Sequence, residues 1–403
     1  MVSVDFQKYE TLLRAVASMS RLYSDSSKPY INPRFVEKLF VYTSTALDFS
    51  RRDMSFDAKT TSGAGVGIKT FVAPTFTSGK SEKIAEFTRD ATRGQFKDLT
   101  QDELAYKVAE LRNARVLSDA RVYEVDMGAS FYHCLVRSAN AAQIHEEPYS
   151  PIDLDKFELT SGKTESGNPK FTDGQSFYTF SIAKNTLFKT FELARYQNSA
   201  QIPVSYIDDI FEQLLLGSVG PSLADTRESI QLQQEPEEAL QSVVLPLYST
   251  RTQKVEAKSG INQWNAGGRD REFGEAYIPH PKEVRKAFPN FFPPRDEPFT
   301  LRLPDGSEMS AKVCQADGKA IMSKPNKDLM GWLFKLIDDS PSSSEARLRN
   351  GVPYTMDDLI RVGKDSVRFT LIDEEKRIYE MEPMAIGSFS DFMSQLSEEE
   401  QDD

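Results

Sequence analysis

Only two cysteines, Cys134 and Cys314, and three histidines occur among the 403 residues. The cysteines stand far apart with no CxxC spacing, which argues against both a disulfide scaffold and a structural zinc site. No run of about eighteen apolar residues is present, so no membrane-spanning helix is expected. The opening MVSVDFQKYETLLRAV lacks the basic-then-apolar layout of a secretory signal, and a reducing cytoplasm is the expected location. There is no GxxxxGK[ST] phosphate loop and no internal repeat. A basic excess is missing too: the net charge is −12, which at first sight speaks against nucleic acid.

The distribution of that charge says otherwise. Residues 251–330 carry fourteen basic and eleven acidic side chains, a net of +3, whereas residues 1–250 stand at −6 and 331–403 at −9. Local field rather than total charge governs phosphate binding. The positive region holds GINQWNAGGRDREFGEAYIPHP at 260–281 and SKPNKDLMGWLFK at 323–335. Both combine glycines, amides and cations. Arg269, Arg271, Lys324 and Lys327 suit phosphates, while Gln263, Asn265 and Asn326 suit bidentate contacts to base edges.

With 39% apolar residues the chain can bury a sizeable core, and its length suggests two or three domains. Helical periodicity covers 5–24, and Asn32-Pro33 starts a second helix through FVEKLFVYTSTAL. Strands are expected at MSFDAK, GVGIKTFVA, RVYEVDM, FYHCLVRS and SFYTFSI, and helices at KSEKIAEFTRDA, QDELAYKVAELRNARVLSDA and 201–216. Residues 217–241, rich in Gln, Glu and Pro, read as a linker. Beyond Val243 short strands and turns dominate, with LPDGSE as a hairpin turn. This gives an α/β body over 1–216, a mostly β, barrel-like body over 242–382, and an acidic tail over 383–403, expected to be disordered.

The stretch INQWNAGGRDREFGEAYIP…FPNFFPPRDEPFTLRLPDGSEMSAKVCQADGKAIMSKPNKDLMGWL resembles the C-terminal domain of the NgoFVII-like type II restriction endonucleases. That domain is similar to the plant B-three DNA-binding pseudobarrel, in which two arms clasp the major groove. The resemblance implies an N-terminal arm at Gln263, Trp264, Asn265, Arg269 and Arg271, and a C-terminal arm at Ser323, Lys324, Asn326 and Lys327. Which of them touch bases rather than phosphates stays open, and Trp264 is equally readable as a packing residue.

A nuclease belonging to such a domain would sit in the N-terminal body. A histidine nucleophile in an HxK motif is poorly matched: the sole such string, His280-Pro281-Lys282, falls inside the reading domain. What the first body offers is carboxylates and a lysine. Asp57 and Lys69, 12 residues apart on successive strands, resemble the core of the PD-(D/E)XK nucleases, with 32–90 as the candidate core. The family pattern expects an acid two positions before the lysine, where Gly67 stands. Some relatives move that acid onto the following helix, here Glu82 or Glu86, with Glu86 preferred for its apolar neighbours. Glu37 fits the acid found upstream of the core. With 61 acidic residues in the chain, any single one is ordinarily a solvated surface charge; the combined layout is what singles these out.

The expectation is thus an α/β (or α+β) nuclease body joined to a β-pseudobarrel, acting as a type II site-specific deoxyribonuclease on double-stranded DNA. Asp57 and Glu86 would hold Mg²⁺, Lys69 would orient water, and Glu37 would support the site. Cutting both strands implies a homodimer, and a cognate DNA methyltransferase is a conceivable partner. The competing reading is a non-catalytic sequence-specific DNA-binding regulator.

Overall fold

The computed structural model describes residues 4–87, 95–160, 167–196, 199–215, 240–267 and 274–402. Most of the stretch read as a linker, along with Arg269 and Arg271, lies outside them. No described helix is long and apolar enough to cross a membrane.

The first half opens with α1 (Phe6–Ser18) and α2 (Pro33–Ser44). Asn32 caps α2 by accepting from the Arg34 N–H at 2.9 Å, and Pro33 supplies the fixed φ of the first turn. Short β1 (Leu47–Asp48) and β2 (Ala58–Lys59) lead to the long β3 (Ala64–Val72), then β4 (Lys80–Glu86). A Thr100/Glu103 capping box starts α3 (Gln101–Val122). Next come β5 (Asp126–Ser138), β6 (Ala141–Pro148), β7 (Glu158–Leu159), β8 (Lys170–Thr172), β9 (Phe177–Ser181), β10 (Thr186–Phe191), β11 (Ile202–Pro203) and α4 (Ile210–Leu215).

Two sheets result, ordered β1-β2-β3-β5-β6-β11 and β4-β10-β9-β8-β7. β3 and β5 run parallel, a pairing that needs a crossover, and α3 lies in that connection. Tyr9, Leu13, Val36 and Phe40 of α1 and α2 pack with Val66, Ile68, Leu135 and Ile144 of the first sheet. Leu104 and Val108 of α3 pack with Phe180 and Leu187 of the second sheet. α3 is buried on several sides, including Arg112 and Asp119, because the second half covers it as well.

Three expectations for this half need correction. KSEKIAE is a strand: its alternating exposure has period two, and charged residues suit its place at a sheet edge. Residues 121–122 close α3, and the strand expected at RVYEVDM starts only at Asp126. Residues 201–216 hold a short strand and one short helix. The strand expected at SFYTFSI appears as β9, paired with β10 in a hairpin whose turn holds Asn185 at positive φ.

The second half is strand-rich and barrel-like. Its strands are β12 (Ser242–Pro246), β13 (Ile278–Pro279), β14 (Pro298–Arg302), β15 (Glu308–Cys314), β16 (Ala320–Ser323), β17 (Lys364–Asp373) and β18 (Ile378–Ala385), with α5 (Lys282–Ala287) after β13. They form one sheet ordered β12-β17-β18-β14-β15-β16-β13, with β14 and β18 parallel. LPDGSE makes the expected hairpin, Gly306 adopting φ 83° and its N–H donating to the Leu303 carbonyl at 2.9 Å. Between β16 and β17 lie α6 (Lys327–Ile337), α7 (Pro341–Arg349) and α8 (Met356–Val362), helices that the reading of strands and turns had missed. The tail is not a solvated coil. Residues 388–402 form α9 (Ser388–Asp402), with Phe389 buried and Phe392 stacked on Phe288.

The halves interlock. One apolar cluster runs from Phe49, Val116 and Tyr123 into Leu245, Leu336 and Phe369. α3 packs on α6, where Ser118 donates to the Leu336 carbonyl and Arg121 to that of Lys335.

Candidate active site and nucleic-acid interface

Gly274, three residues beyond the first candidate arm, adjoins the second: a Cβ there would stand 3.9 Å from the Lys327 Cβ at the start of α6. Lys324 and Lys327 are exposed and Asn326 is half-buried. Their side chains make no hydrogen bond or ion pair among the described residues, so their donors are available to a ligand. Other arm residues are already engaged. Gln263 is buried and donates to Glu275 at 3.2 Å, Asn265 donates to the Ala257 carbonyl at 3.0 Å, and Trp264 packs against the core. Ser323 is buried and accepts from the Leu329 N–H at 2.9 Å while donating to the Pro325 carbonyl at 2.8 Å, which fixes the entry to α6. Among the described arm residues, free groups therefore concentrate in the second arm.

His280, the histidine of the HxK string, is buried against Phe292, and its Nδ1 lies 3.1 Å from the Gly318 carbonyl. Burial lowers its pKa to about 4. It is an enclosed, neutral core histidine.

Two carboxylates of the first half, Asp57 and Glu82, lie within electrostatic reach of Lys69. A cavity of about 740 Å³ is bordered by Asp53, Asp57, Lys69, Glu86, Arg115 and Lys184, with Ala385 of the second half on its rim. Asp57 precedes β2, and its carboxylate accepts from the Ile68 N–H on β3 at 2.6 Å. Burial raises the Asp57 carboxyl above its ordinary value, against the pull of Lys69 and the Ile68 amide. Glu37 is raised as well, first by burial and further by Asp57 and Asp48, although Arg34 donates to it at 2.8 Å. Lys69 itself has no hydrogen bond or ion pair among the described residues.

A β-bulge separates Glu82 from Glu86. Lys83 pairs with Phe188 and Ala85 with Leu187, leaving Ile84 unpaired between them. The extra residue turns the two glutamates to different faces, Glu82 beside buried Lys189 and Glu86 beside Thr186. Glu86 borders the cavity, but its carboxylate is 62% exposed and bridged to Lys83 at 2.9 Å, which holds its pKa low. Glu82 is more enclosed: burial raises its pKa, and Lys80 and then Lys69 oppose the rise. Glu82 is thus the acid whose carboxylate senses Lys69. The helix-face argument that had preferred Glu86 fails on a bulged strand.

Gly67, at the position where the nuclease pattern has an acid, cannot carry one here. A Cβ would lie 2.8 Å from the Tyr132 ring and 2.9 Å from that of Tyr149, which are stacked on each other. Among the described residues no group of three or more His, Cys, Asp or Glu side chains is preassembled as a metal site. The donor set still suits a hard divalent cation: Asp57, Glu37 and Glu82 offer carboxylate oxygens whose pKa values burial raises despite the cations near them.

The remaining candidates resolve into structural roles, with one exception. Arg112 is buried under Tyr149 and donates to the Ser150 carbonyl at 2.7 Å; Arg115 bridges to Asp53 at 2.9 Å. His145 and Glu147 meet at 2.9 Å on one face of β6, whereas Glu146 points to the other and meets His133 at 2.8 Å. The exception is Lys184 in the β9–β10 turn, exposed, lining the cavity and without an ion pair among the described residues. Only the tertiary fold brings it there.

A strand-rich, barrel-like body defines a class, and comparison with known families agrees. Residues 236–373 match the family described as the NgoFVII C-terminal B3-like DNA-binding domain. This half of the chain is therefore a restriction-enzyme-like DNA-binding domain; the match does not extend to residues 1–235. No curated protein matches the chain in sequence.

Proposed function

We propose that the chain is a type II site-specific endonuclease, in which the second half reads a short duplex sequence and the first half hydrolyses a phosphodiester. The observation that carries this reading is the meeting of Asp57 and Lys69 at one cavity, with Glu82 in electrostatic reach of Lys69, on a body docked to a DNA-binding domain. The strand plan around them supports a likeness to the PD-(D/E)XK nucleases: an aspartate entering one strand, a lysine on its antiparallel neighbour, and a helical crossover to a parallel strand. Asp57 and Glu82 would hold Mg²⁺, with Glu37 supporting the site. When bound, the cation would neutralise the scissile phosphate and charge developing on it. Lys69 orients the attacking water and stabilises the charge that builds in the transition state. Lys184 supplies positive charge where the strand would enter. Double-strand cutting calls for two such sites, hence a homodimer on DNA, and a cytoplasmic enzyme of this type would need its host sites protected, for which a methyltransferase is the natural partner.

The test is plasmid cleavage with Mg²⁺ and with chelator, for the wild type and Lys69→Ala. Cleavage confined to Mg²⁺ and lost in Lys69→Ala is expected. Sequence-specific binding with no cleavage in any divalent cation would instead identify a non-catalytic regulator.

A further inference from the structure

We infer that Lys364, on β17 of the DNA-binding half, is a positioning residue for the Asp57–Lys69 site of the other half, so that the site is complete only when the two halves are docked. The inference rests on the nuclease reading for its consequence but on independent geometry for its contact. Lys364 is fully buried, and its ammonium meets the Asp53 backbone carbonyl, the Asp53 carboxylate at 3.0 Å and the Asp119 carboxylate at 3.8 Å. Asp119 in turn accepts from the Ser55 N–H at 2.7 Å and the Ser55 hydroxyl at 2.6 Å. Two residues further on stands Asp57.

The rest of the segment is held from the same side. Glu382 pairs with Arg52 at 3.6 Å, and the Ala385 N–H donates to Asp53. From the first half, Arg115 bridges to Asp53 and the Tyr149 hydroxyl donates to the Ser55 carbonyl at 2.8 Å. The loop delivering Asp57 is thus gripped between α3 and the β17–β18 end of the recognition half. Asp53 and Ala385 also border the cavity that holds Asp57 and Lys69. A buried cation bridging two carboxylates holds its geometry tightly, because displacing it leaves buried charge unpaired.

The experiment compares Lys364→Met and Lys364→Arg with the wild type in the full-length protein. Three quantities are read: amide exchange at Ser55 and Ile68, DNA binding, and the Mg²⁺ dependence of cleavage. Lys364→Met is expected to speed exchange at these two amides at least tenfold relative to amides of α1 and β14. Cleavage should fall at least tenfold, with a higher Mg²⁺ requirement, and sequence-specific binding should stay within twofold. Lys364→Arg should restore most of each. If Lys364→Met does not fold, Asp53→Asn/Lys364→Met, which removes the Lys364–Asp53 pair and leaves Asp119 held by Ser55, should fold and show the same local loosening. Exchange that is unchanged at Ser55 and Ile68, or raised equally throughout both halves, overturns the inference. Local loosening in a protein whose wild type never cuts DNA supports the contact and removes the nuclease reading instead.

Discussion

Gly67 and Tyr132 are register partners across β3 and β5, and the stacked Tyr132–Tyr149 pair fills the space that a side chain on Gly67 would need. This is why the lysine strand carries no acid two positions before Lys69. Gly67→Ala should lower stability by about 1–3 kcal/mol through overpacking, read as a shift in the urea midpoint. Gly67→Glu should fail to raise cleavage.

If the acid has moved, it should be found on the bulged strand. Glu82→Gln is expected to reduce cleavage by about 10²–10³, as removal of an essential charge at a reacting centre does. Glu86→Gln should stay within about threefold of wild type, since an exposed Lys83 pair contributes little. Single-turnover rates at saturating DNA distinguish the two, and equal losses would restore Glu86 to the site.

The Asp57 carboxyl titrates above its ordinary value because it is buried. The folded chain therefore holds a proton that the unfolded chain has released, in the window just above about pH 3.9. Stability falls as pH rises through the folded pKa and stays lower beyond it. Asp57→Asn should remove that loss, raising the melting temperature at neutral pH while abolishing cleavage, and the difference should vanish in acid. Thermal scans from about pH 4 to 8 check the sign.

In the recognition half, free and engaged residues should behave differently. Lys324→Ala and Lys327→Ala should weaken binding to every duplex, and each should reduce the salt slope by about 0.9, the value for one phosphate no longer neutralised. Asn326→Ala should cost about 1–3 kcal/mol on the preferred sequence and little elsewhere. Ser323→Ala should lower stability instead, because its hydroxyl anchors α6. Fluorescence anisotropy over a range of salt, beside a urea melt, separates these outcomes.

What the sequence disclosed was local. The Asn32-Pro33 cap, the LPDG turn and the GVGIKTFVA strand are written in neighbouring residues, and each appears in the fold. Asp57 and Lys69 were legible for the same reason, since one turn separates their strands. The acid was harder. KSEKIAE carries charges at spacings that fit a helix or a strand, and only pairing with β10 fixes the period and introduces the bulge at Ile84. Lys184 and Lys364 reach the cavity region from about 115 and 295 residues beyond Lys69, a separation that no local pattern encodes. The acidic composition of the tail likewise concealed Phe389 and Phe392, whose packing orders the start of α9.

The most direct test is nucleotide-resolution mapping of the ends this protein makes on a DNA of known sequence with Mg²⁺. Breaks at a constant distance from one short recurring sequence, lost with chelator and with Lys69→Ala, are the predicted result. Intact DNA in every divalent cation, or breaks scattered without regard to sequence, would contradict the account.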